Sequence, residues 1–265
     1  GIEPTANTAA VAIEKGIATI IDFFGTDFAR KLVAEQKIKA DLIVGNNVLA
    51  HVPDINDFVG GLKILLAPGG TITMEFPHLL QLIENNQFDT IYHEHFSYLS
   101  LYTVGLILSS RQLVIYKVEE LPTHGGSLRI YAKHIENQEL PMDPSVGALL
   151  QKEIAKGINS LDYYEGFTQK ALKVKLDFLS FLIEQKKLGK KVAGYGAAAK
   201  GNTLLNYCGV KNDLIDFVVD ANPNKQNKWL PASHIPVVNE DHLKEVKPDY
   251  VIIFPWNIQE EIIRQ

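Results

Sequence analysis

The sequence contains a single cysteine, Cys208, among its 265 residues. One thiol can form neither an internal disulfide nor a cysteine-rich zinc site, which fits a reducing compartment. The sequence also lacks a signal peptide and an apolar run of membrane length, and no basic run exceeds a pair such as Lys190-Lys191. We therefore expect a cytoplasmic protein whose partners include neither membranes nor nucleic acids.

The composition predicts a globular chain with a substantial core. Hydrophobic residues make up 46% of the sequence, and the net charge is -5, which is typical of one large or two ordinary domains. The sequence starts at Gly1 rather than methionine, and residues 260–265 fall inside a helical pattern. We interpret the sequence as part of a longer protein.

Short apolar strands alternate with helices in the first half of the chain, which predicts parallel βαβ units. The predicted helices cover residues 5–15, 27–36 and 58–66, the strands 18–21, 41–44 and 71–76, and a turn 68–70. A further pair of strands is predicted at 113–119 and 127–133.

The second half starts with a helical pattern at 143–187 and continues with a new α/β unit. We expect an apolar stripe to pack against the core, formed by Ile158, Leu161, Leu172, Leu176, Leu179 and Ile183. Strands are predicted at 191–194, 215–219 and 249–254. The predicted fold class is α/β, with a Rossmann-like domain at 1–133, a helical connector at 134–187 and a second Rossmann-like domain at 188–265.

The segment Tyr92-His93-Glu94-His95 concentrates acid and base chemistry directly after a predicted strand end at 74–78. Imidazole titrates near neutral pH and can accept and return a substrate proton, while a neighbouring carboxylate can orient it. In open α/β sheets, reacting groups collect beyond the carboxyl ends of strands. Packing or capping histidines are the alternative interpretation.

Polar residues follow other predicted strands. A carboxylate such as Glu3 can accept two hydrogen bonds from a ribose diol, and Asp22 with Phe23 can address the amino group and face of an adenine. Solvated surface acids are the alternative. The segment 41–53 adds amides and the imidazole of His51 at the next strand end.

Two glycine-containing loops suggest ligand contacts. In the segment His124-Gly125-Gly126-Ser127-Leu128-Arg129, glycines allow close backbone approach and the arginine can contact a phosphate or carboxylate. A hairpin turn with a solvated arginine is the alternative.

The second loop, Gly194-x-Gly196-x-x-Ala199 with Asp220 after the next strand, fits a dinucleotide fingerprint. An NAD(P)-dependent oxidoreductase or a nucleotide-sugar-binding protein therefore stays open, as does a Rossmann-type scaffold without catalysis. Lys200, just inside the following helix, suits a nucleoside diphosphate.

Seven strings together resemble the S-adenosylmethionine-dependent sugar-nucleotide 3-C-methyltransferases of deoxysugar biosynthesis. They are Gly-Ile-Glu-Pro at 1–4, Asn-Asn-Val-Leu-Ala-His-Val-Pro-Asp at 46–54, Leu-Leu-Ala-Pro-Gly-Gly at 65–70, Glu-Phe-Pro-His at 75–78, Tyr-His-Glu-His-Phe-Ser-Tyr at 92–98, Thr-His-Gly-Gly-Ser-Leu-Arg at 123–129 and Gly-Tyr-Gly-Ala-Ala-Ala-Lys-Gly-Asn at 194–202. The resemblance covers essentially the whole chain. The family's amino-terminal zinc module and the glycine-rich first strand and loop are missing from this sequence, so we expect an incomplete cofactor domain, with zinc only in the missing module.

The resemblance implies a base-catalysed methyl transfer to carbon on a nucleoside-diphosphate 4-keto sugar. His95 matches the base that removes the C3 proton, Tyr92 and His51 match donors to the keto oxygen, and Glu94 orients or assists. No catalytic metal is implied, because the methyl donor is already an activated sulfonium.

The resemblance also implies where the two ligands bind. S-adenosylmethionine is expected at Glu3, Asp22 and Phe23, with Asn46 and Asn47 in the same pocket. The sugar nucleotide is expected at His124, Gly125, Gly126, Arg129, Lys200 and Asn202.

Overall fold

The structure is a computed structural model that describes residues 1–264. It divides into two compact units. The first consists of Gly1–Gln81 with Phe96–Tyr163, and the second consists of Leu82–His95 with Tyr164–Gln265. These borders differ from the predicted borders at 133 and 187, because residues 134–163 pack with the first sheet and Leu82–His95 packs with the second unit.

The first unit is built on a mixed four-stranded sheet. Its strands are β1 (Ala40–Asn46), β2 (Leu66–Pro77), β3 (Leu113–Leu121) and β4 (Ser127–His134), in the order β1-β2-β4-β3. β1 and β2 are parallel, as predicted, and β4 runs antiparallel to both β2 and β3. Asn46 pairs with Glu75 at the carboxyl ends of β1 and β2.

The predicted turn at 68–70 is wrong, because this segment lies inside β2. The β1–β2 pairing joins Ala40 to Leu66, shifts, and resumes between Leu42 and Thr71, so the intervening residues form an irregularity of the strand. Gly70 is required there, since a Cβ would lie 2.8 Å from the Ala40 carbonyl oxygen.

The described residues of the first unit form six α-helices. They are α1 (Ala6–Glu14), α2 (Thr26–Gln36), α3 (Ile55–Leu65), α4 (Leu79–Glu84, extending into the second unit), α5 (Leu101–Ser109) and α6 (Pro144–Lys156). Of these, α3, α5 and α6 pack against β2 or β3. α3 begins after Asp54, whose carboxylate accepts hydrogen bonds from the amides of Asn56 and Asp57. Apolar residues of β2 and β4, including Phe76, Leu128 and Ile130, form the centre of the core. The predicted strand at 18–21 is reduced to one parallel bridge between Ile2 and Ile20.

The second unit contains a five-stranded sheet in the order β7-β8-β6-β5-β9. Its strands are β5 (Val192–Tyr195), β6 (Val218–Val219), β7 (Lys228–Trp229), β8 (Pro236–Val238) and β9 (Tyr250–Ile253). β5, β6, β8 and β9 are parallel, and β7 is antiparallel to β8. The predicted strand at 215–219 is shortened to Val218–Val219, although Asp216 and Phe217 already exchange backbone hydrogen bonds with Val192 and Gly194 of β5.

The helices of the second unit are α7 (Phe167–Lys187), α8 (Ala199–Cys208), α9 (Asp241–Val246) and α10 (Gln259–Arg264). The helical pattern at 143–187 is not one continuous element, since Gly157 and Gly166 have φ of 88° and 80° and interrupt it. Of the predicted apolar stripe, Ile158 is buried and Leu179 packs on the core of the second unit. Leu161, which lies between α6 and α7, is 85% exposed, and Leu172, Leu176 and Ile183 are also exposed.

Within residues 1–264, no helix is both long enough and apolar enough to cross a membrane.

Candidate functional site

Polar residues of the first unit converge at the carboxyl ends of β1 and β2. Asn47 directly follows β1 in a left-handed conformation with φ of 55°, and its amide donates to the Glu75 carbonyl oxygen at 2.8 Å. The Asn47 side chain donates through Nδ2 to Nε2 of His124 at 3.2 Å. The structure thus joins a residue predicted for the cofactor with one predicted for the substrate.

A second network at this edge centres on Glu75, which the sequence interpretation missed. Glu75 is buried in β2; its Oε2 accepts from Arg129 at 2.8 Å, and its Oε1 accepts from the hydroxyl of Thr123 at 2.9 Å. This pairing raises the pKa of Arg129. A charged residue inside the apolar stretch 71–76 was the available signal for Glu75. Arg129 is therefore bound within the sheet, and its contact with substrate stays a prediction.

The loop that links β3 to β4 is tight. His124, Gly125 and Gly126 have φ of 57°, 90° and 118°. The Gly126 amide donates to the Thr123 carbonyl, and the Gly126 carbonyl accepts from the His78 amide. The positive φ values explain why glycine follows His124, as expected for a close-turning loop.

His51 ends the short 3₁₀ turn Leu49–His51, directly after β1, and is half-buried. The neighbouring Ala50 carbonyl accepts hydrogen bonds from the amides of Phe96 and Ser97. His51 therefore lies in a hydrogen-bonded turn beyond the strand end, where it was predicted; its catalytic role stays a prediction.

Glu3 and Asp22 follow the two segments that are joined by the Ile2–Ile20 bridge. One oxygen of each carboxylate accepts from a nearby amide: Glu3 Oε1 from Thr5, and Asp22 Oδ1 from Phe23. Asp22 and Phe23 are exposed, Phe23 by 77%. The carboxylates could accept hydrogen bonds from a ribose diol or an adenine amino group, and the Phe23 side chain could stack on the adenine.

The segment with Tyr92 and His95 belongs to the second unit. The rings of Tyr92 and His95 lie 4.2 Å apart at 34°, and His95 Nδ1 lies 2.9 Å from the Thr90 carbonyl oxygen. A carbonyl only accepts, so Nδ1 carries the proton and the lone pair of neutral His95 is on Nε2. His93 and Glu94 are exposed. The contact that fixes His95 Nδ1 thus comes from Thr90 rather than from the neighbouring carboxylate.

Packing explains why glycine is needed at three positions in and around the second glycine loop. A Cβ on Gly194 would lie 2.4 Å from the Phe254 ring, and a Cβ on Gly201 would lie 2.6 Å from Phe254 Cβ. Gly196 has φ of 88°, and a Cβ there would lie 2.5 Å from Pro255. Each glycine therefore has a conformational or packing reason that does not involve a phosphate.

Asp220, the acid of the dinucleotide fingerprint, binds the protein itself. Its Oδ2 accepts from the Ala197 amide at 2.8 Å and from Lys225 at 3.3 Å, and its Oδ1 accepts from the Asn222 amide at 2.8 Å. The carboxylate is buried. Both oxygens of Asp220 thus hold the loop and the segment that follows β6.

Lys200 and Asn202 lie in the first turn of α8. Lys200 Nζ donates to Asn257 Oδ1 at 2.9 Å and lies 4.1 Å from the centre of the Trp256 ring, while burial lowers its pKa. Asn202 Oδ1 is buried without a hydrogen-bond partner in residues 1–264. Contact of either residue with a sugar nucleotide stays a prediction.

The described residues contain no group of three or more His, Cys, Asp or Glu side chains that could hold a metal ion.

Comparisons with known proteins assign the family. A family model described as "C-methyltransferase C-terminal domain" matches residues 122–265, and one described as "Methyltransferase domain" matches residues 1–118. C-methyltransferase NovU from Streptomyces niveus is 35% identical over 263 residues. That alignment covers 99% of this chain and 62% of the relative, so the chain spans less than two thirds of the relative's length.

Solved structures show a fainter likeness. N-methyltransferase NodS from Bradyrhizobium japonicum WM9 aligns with 16% identity and a TM-score of 0.37, covering 51% of this chain and 65% of NodS. A possible histamine N-methyltransferase from Thermotoga maritima aligns with 16% identity and a TM-score of 0.40, covering 50% and 71% of the two chains. The assignment rests instead on the family models: because the C-terminal-domain model matches more than half of the residues, the chain belongs to the C-methyltransferase family.

Proposed function

We propose that the protein is an S-adenosylmethionine-dependent C-methyltransferase that acts on a nucleoside-diphosphate 4-keto deoxysugar. Family membership and the likeness to C-methyltransferase NovU support methyl transfer to carbon. The sugar-nucleotide substrate is supported by the strings at 92–98, 123–129 and 194–202.

The observation that carries this proposal is the fixed tautomer of His95. With Nδ1–H bound to the Thr90 carbonyl, Nε2 takes the proton from C3 of the sugar, and the electron pair of the C3–H bond moves toward the keto oxygen. The proton is acidic only when the developing oxyanion is stabilised, for which Tyr92 and His51 are the proposed donors and Glu94 an assisting group. Bound S-adenosylmethionine supplies the electrophilic methyl group that the enolate carbon requires.

The cofactor residues proposed in the first unit are Glu3 for the ribose, Asp22 with Phe23 for the adenine, and Asn46 with Asn47 in the same pocket. Their placement after strand segments and the exposed Phe23 ring support this assignment. Chemistry at the carboxyl ends of parallel strands is usual in such sheets.

The sugar nucleotide is proposed to contact His124, Gly125, Gly126 and Arg129, as well as Lys200 and Asn202 in the C-terminal domain at 188–265. The parallel order β8-β6-β5-β9 supports a second Rossmann-like domain there. The functional domains at 1–133 and 188–265 stay a proposal, with residues 134–187 as the helical segment that links them in sequence, although residues 134–163 belong to the first compact unit.

An NAD(P)-dependent oxidoreductase has less support. The fingerprint acid Asp220 is engaged with Ala197, Asn222 and Lys225, and the loop glycines pack against Phe254 and Pro255. A scaffold without catalysis has less support, because the matching family model and the relative at 35% identity are both C-methyltransferases. The cytoplasmic location and the absence of nucleic-acid and membrane partners stay predictions.

The test uses His95→Gln in the full-length protein, with His93→Gln as the matched control because His93 is exposed in the same segment. His95→Gln should abolish both methyl transfer and exchange of the C3 proton with deuterated solvent, because both pass through one enolate. Tyr92→Phe should slow both by about a hundredfold to a thousandfold, the usual cost of a lost oxyanion donor. Exchange that persists in His95→Gln while methylation is lost would assign the base to Glu94 or His51 instead.

A further inference from the structure

Two side chains that precede Tyr92 and His95 attach this segment to α8 and to the residues after β9 of the same unit. Phe88 is buried, and its ring lies 5.1 Å from the ring of Tyr207 on α8. Asp89 is also buried, and its Oδ2 accepts a 2.7 Å hydrogen bond from the indole Nε1 of Trp256. Residues far apart in sequence thus fix the start of the segment.

The second attachment is electrostatically unusual. Burial raises the pKa of Asp89, while the hydrogen bond from Trp256 and the charge of Lys200 oppose that rise. Lys200 Nζ lies 4.1 Å from the centre of the Trp256 ring and donates to Asn257. The indole is therefore held on its face by a cation and at its N–H by a carboxylate. Burying a carboxylate costs free energy unless it is hydrogen-bonded. Asp89 and Trp256 are therefore restricted to orientations that keep their hydrogen bond.

The attachment is one residue away from the contact that sets the tautomer of His95. Phe88–Thr90 forms a single 3₁₀ turn, in which the Thr90 hydroxyl and amide both donate to the Gln87 carbonyl. The Thr90 carbonyl is left to accept the hydrogen bond from His95 Nδ1. The position of this carbonyl depends on the turn, and Asp89 is the central residue of the turn.

We propose that the Asp89–Trp256 hydrogen bond, with Lys200 on the face of the indole, positions the base of the reaction. It fixes the Phe88–Thr90 turn so that the Thr90 carbonyl keeps the proton of His95 on Nδ1 and the lone pair on Nε2. Trp256 and Asp89 are positioning residues, since they act through Thr90 and His95. The catalytic consequence rests on the proposed function, whereas the effect on the tautomer does not.

The first test replaces the indole N–H and keeps an aromatic ring beneath Lys200. In Trp256→Phe, kcat should fall about ten- to a hundredfold, the scale of one hydrogen bond to a charged group, while KM changes by less than about twofold because an aromatic ring still faces Lys200. Nitrogen-15 NMR of the imidazole should show a loss of the Nδ1–H tautomer of His95. Trp229→Phe is the matched control, because Trp229 is 66% exposed on β7.

Two variants of Asp89 distinguish positioning of His95 from a general loss of stability. They also provide the test if Trp256→Phe does not fold. Asp89→Asn keeps an oxygen acceptor for the indole and should retain the tautomer and most of kcat, whereas Asp89→Leu should behave like Trp256→Phe. Equal behaviour of the two Asp89 variants, or an unchanged tautomer in Trp256→Phe, would overturn the proposal. If the tautomer shifts as expected and wild-type protein shows no methyl transfer, the positioning is supported and the proposed function fails.

Discussion

The two glycine-containing loops, at 123–129 and 194–201, look alike in sequence but differ in why glycine is needed there. In the loop between β3 and β4, three consecutive residues have positive φ, and the His124 imidazole accepts from the Asn47 side chain at the edge of the sheet. At the junction of β5 and α8, Asp220 accepts from the Ala197 amide, Pro255 packs on Gly196 in the loop, and Phe254 packs on the flanking Gly194 and Gly201. The first loop presents a titratable side chain, and the second is a packed junction. A glycine pattern alone therefore does not distinguish binding from packing.

The comparison is tested most strongly by removing the carboxylate that fastens the second loop. Asp220→Ala should lower the free energy of unfolding by about 3 kcal/mol, because it leaves the Ala197 amide without its acceptor and removes hydrogen bonds to a buried charge. Urea denaturation measures this change. Asp213→Ala, at an exposed aspartate of the same unit, is the control and should be nearly neutral. A neutral Asp220→Ala, combined with weaker nucleotide binding, would restore a ligand role for this acid.

A smaller effect is expected from a single added methyl group at Gly194, in the strand β5 that leads into the second loop. Gly194→Ala places a Cβ 2.4 Å from the Phe254 ring and 2.9 Å from Val218. Such overpacking should destabilise the protein by about 1 to 3 kcal/mol, which thermal unfolding can detect. Gly147→Ala is the matched control, because its Cβ in α6 would meet nothing within 4 Å and the change should stabilise the helix by up to about 1 kcal/mol. A Gly194→Ala variant of native stability would contradict the packing explanation.

The first loop should give the smallest change in stability and a kinetic change instead. His124→Asn keeps a residue that tolerates positive φ, so the free energy of unfolding should change by no more than about 0.5 kcal/mol. If the loop contacts the sugar nucleotide, KM should rise about tenfold, the scale of one lost hydrogen bond. Lys37→Asn, at another exposed position with φ of 56°, is the matched control. An unchanged KM would remove His124 from the substrate site.

Local sequence signals predicted the elements that depend on nearest neighbours. The strands at 113–119 and 127–133 are confirmed as β3 and β4, since alternating apolar residues identify a strand with one buried face. The interruption at Gly157 and Gly166 was overlooked because the apolar spacing continued through it. The segment 68–70 has the composition of a turn, yet pairing on both sides keeps it inside β2.

The candidate site was predicted one residue at a time, whereas its connections were not predictable. Glu75 and Arg129 are 54 residues apart, and Asp89 and Trp256 are 167 apart. Periodicity and motif strings contain no information on such distant pairs. Only Glu75, as a charge within an apolar strand, carried a local sign of its role.

The sequence by itself determined the α/β class, the family resemblance and the residue types at the strand ends, because these depend on periodicity and on contiguous strings. The tertiary structure decided that residues 82–95 belong to the second unit, that Asp220 fastens its own loop, and that the proton of His95 is on Nδ1. Each of these depends on contacts between residues that are not adjacent in sequence. Such residues come within reach of each other only when the chain has folded.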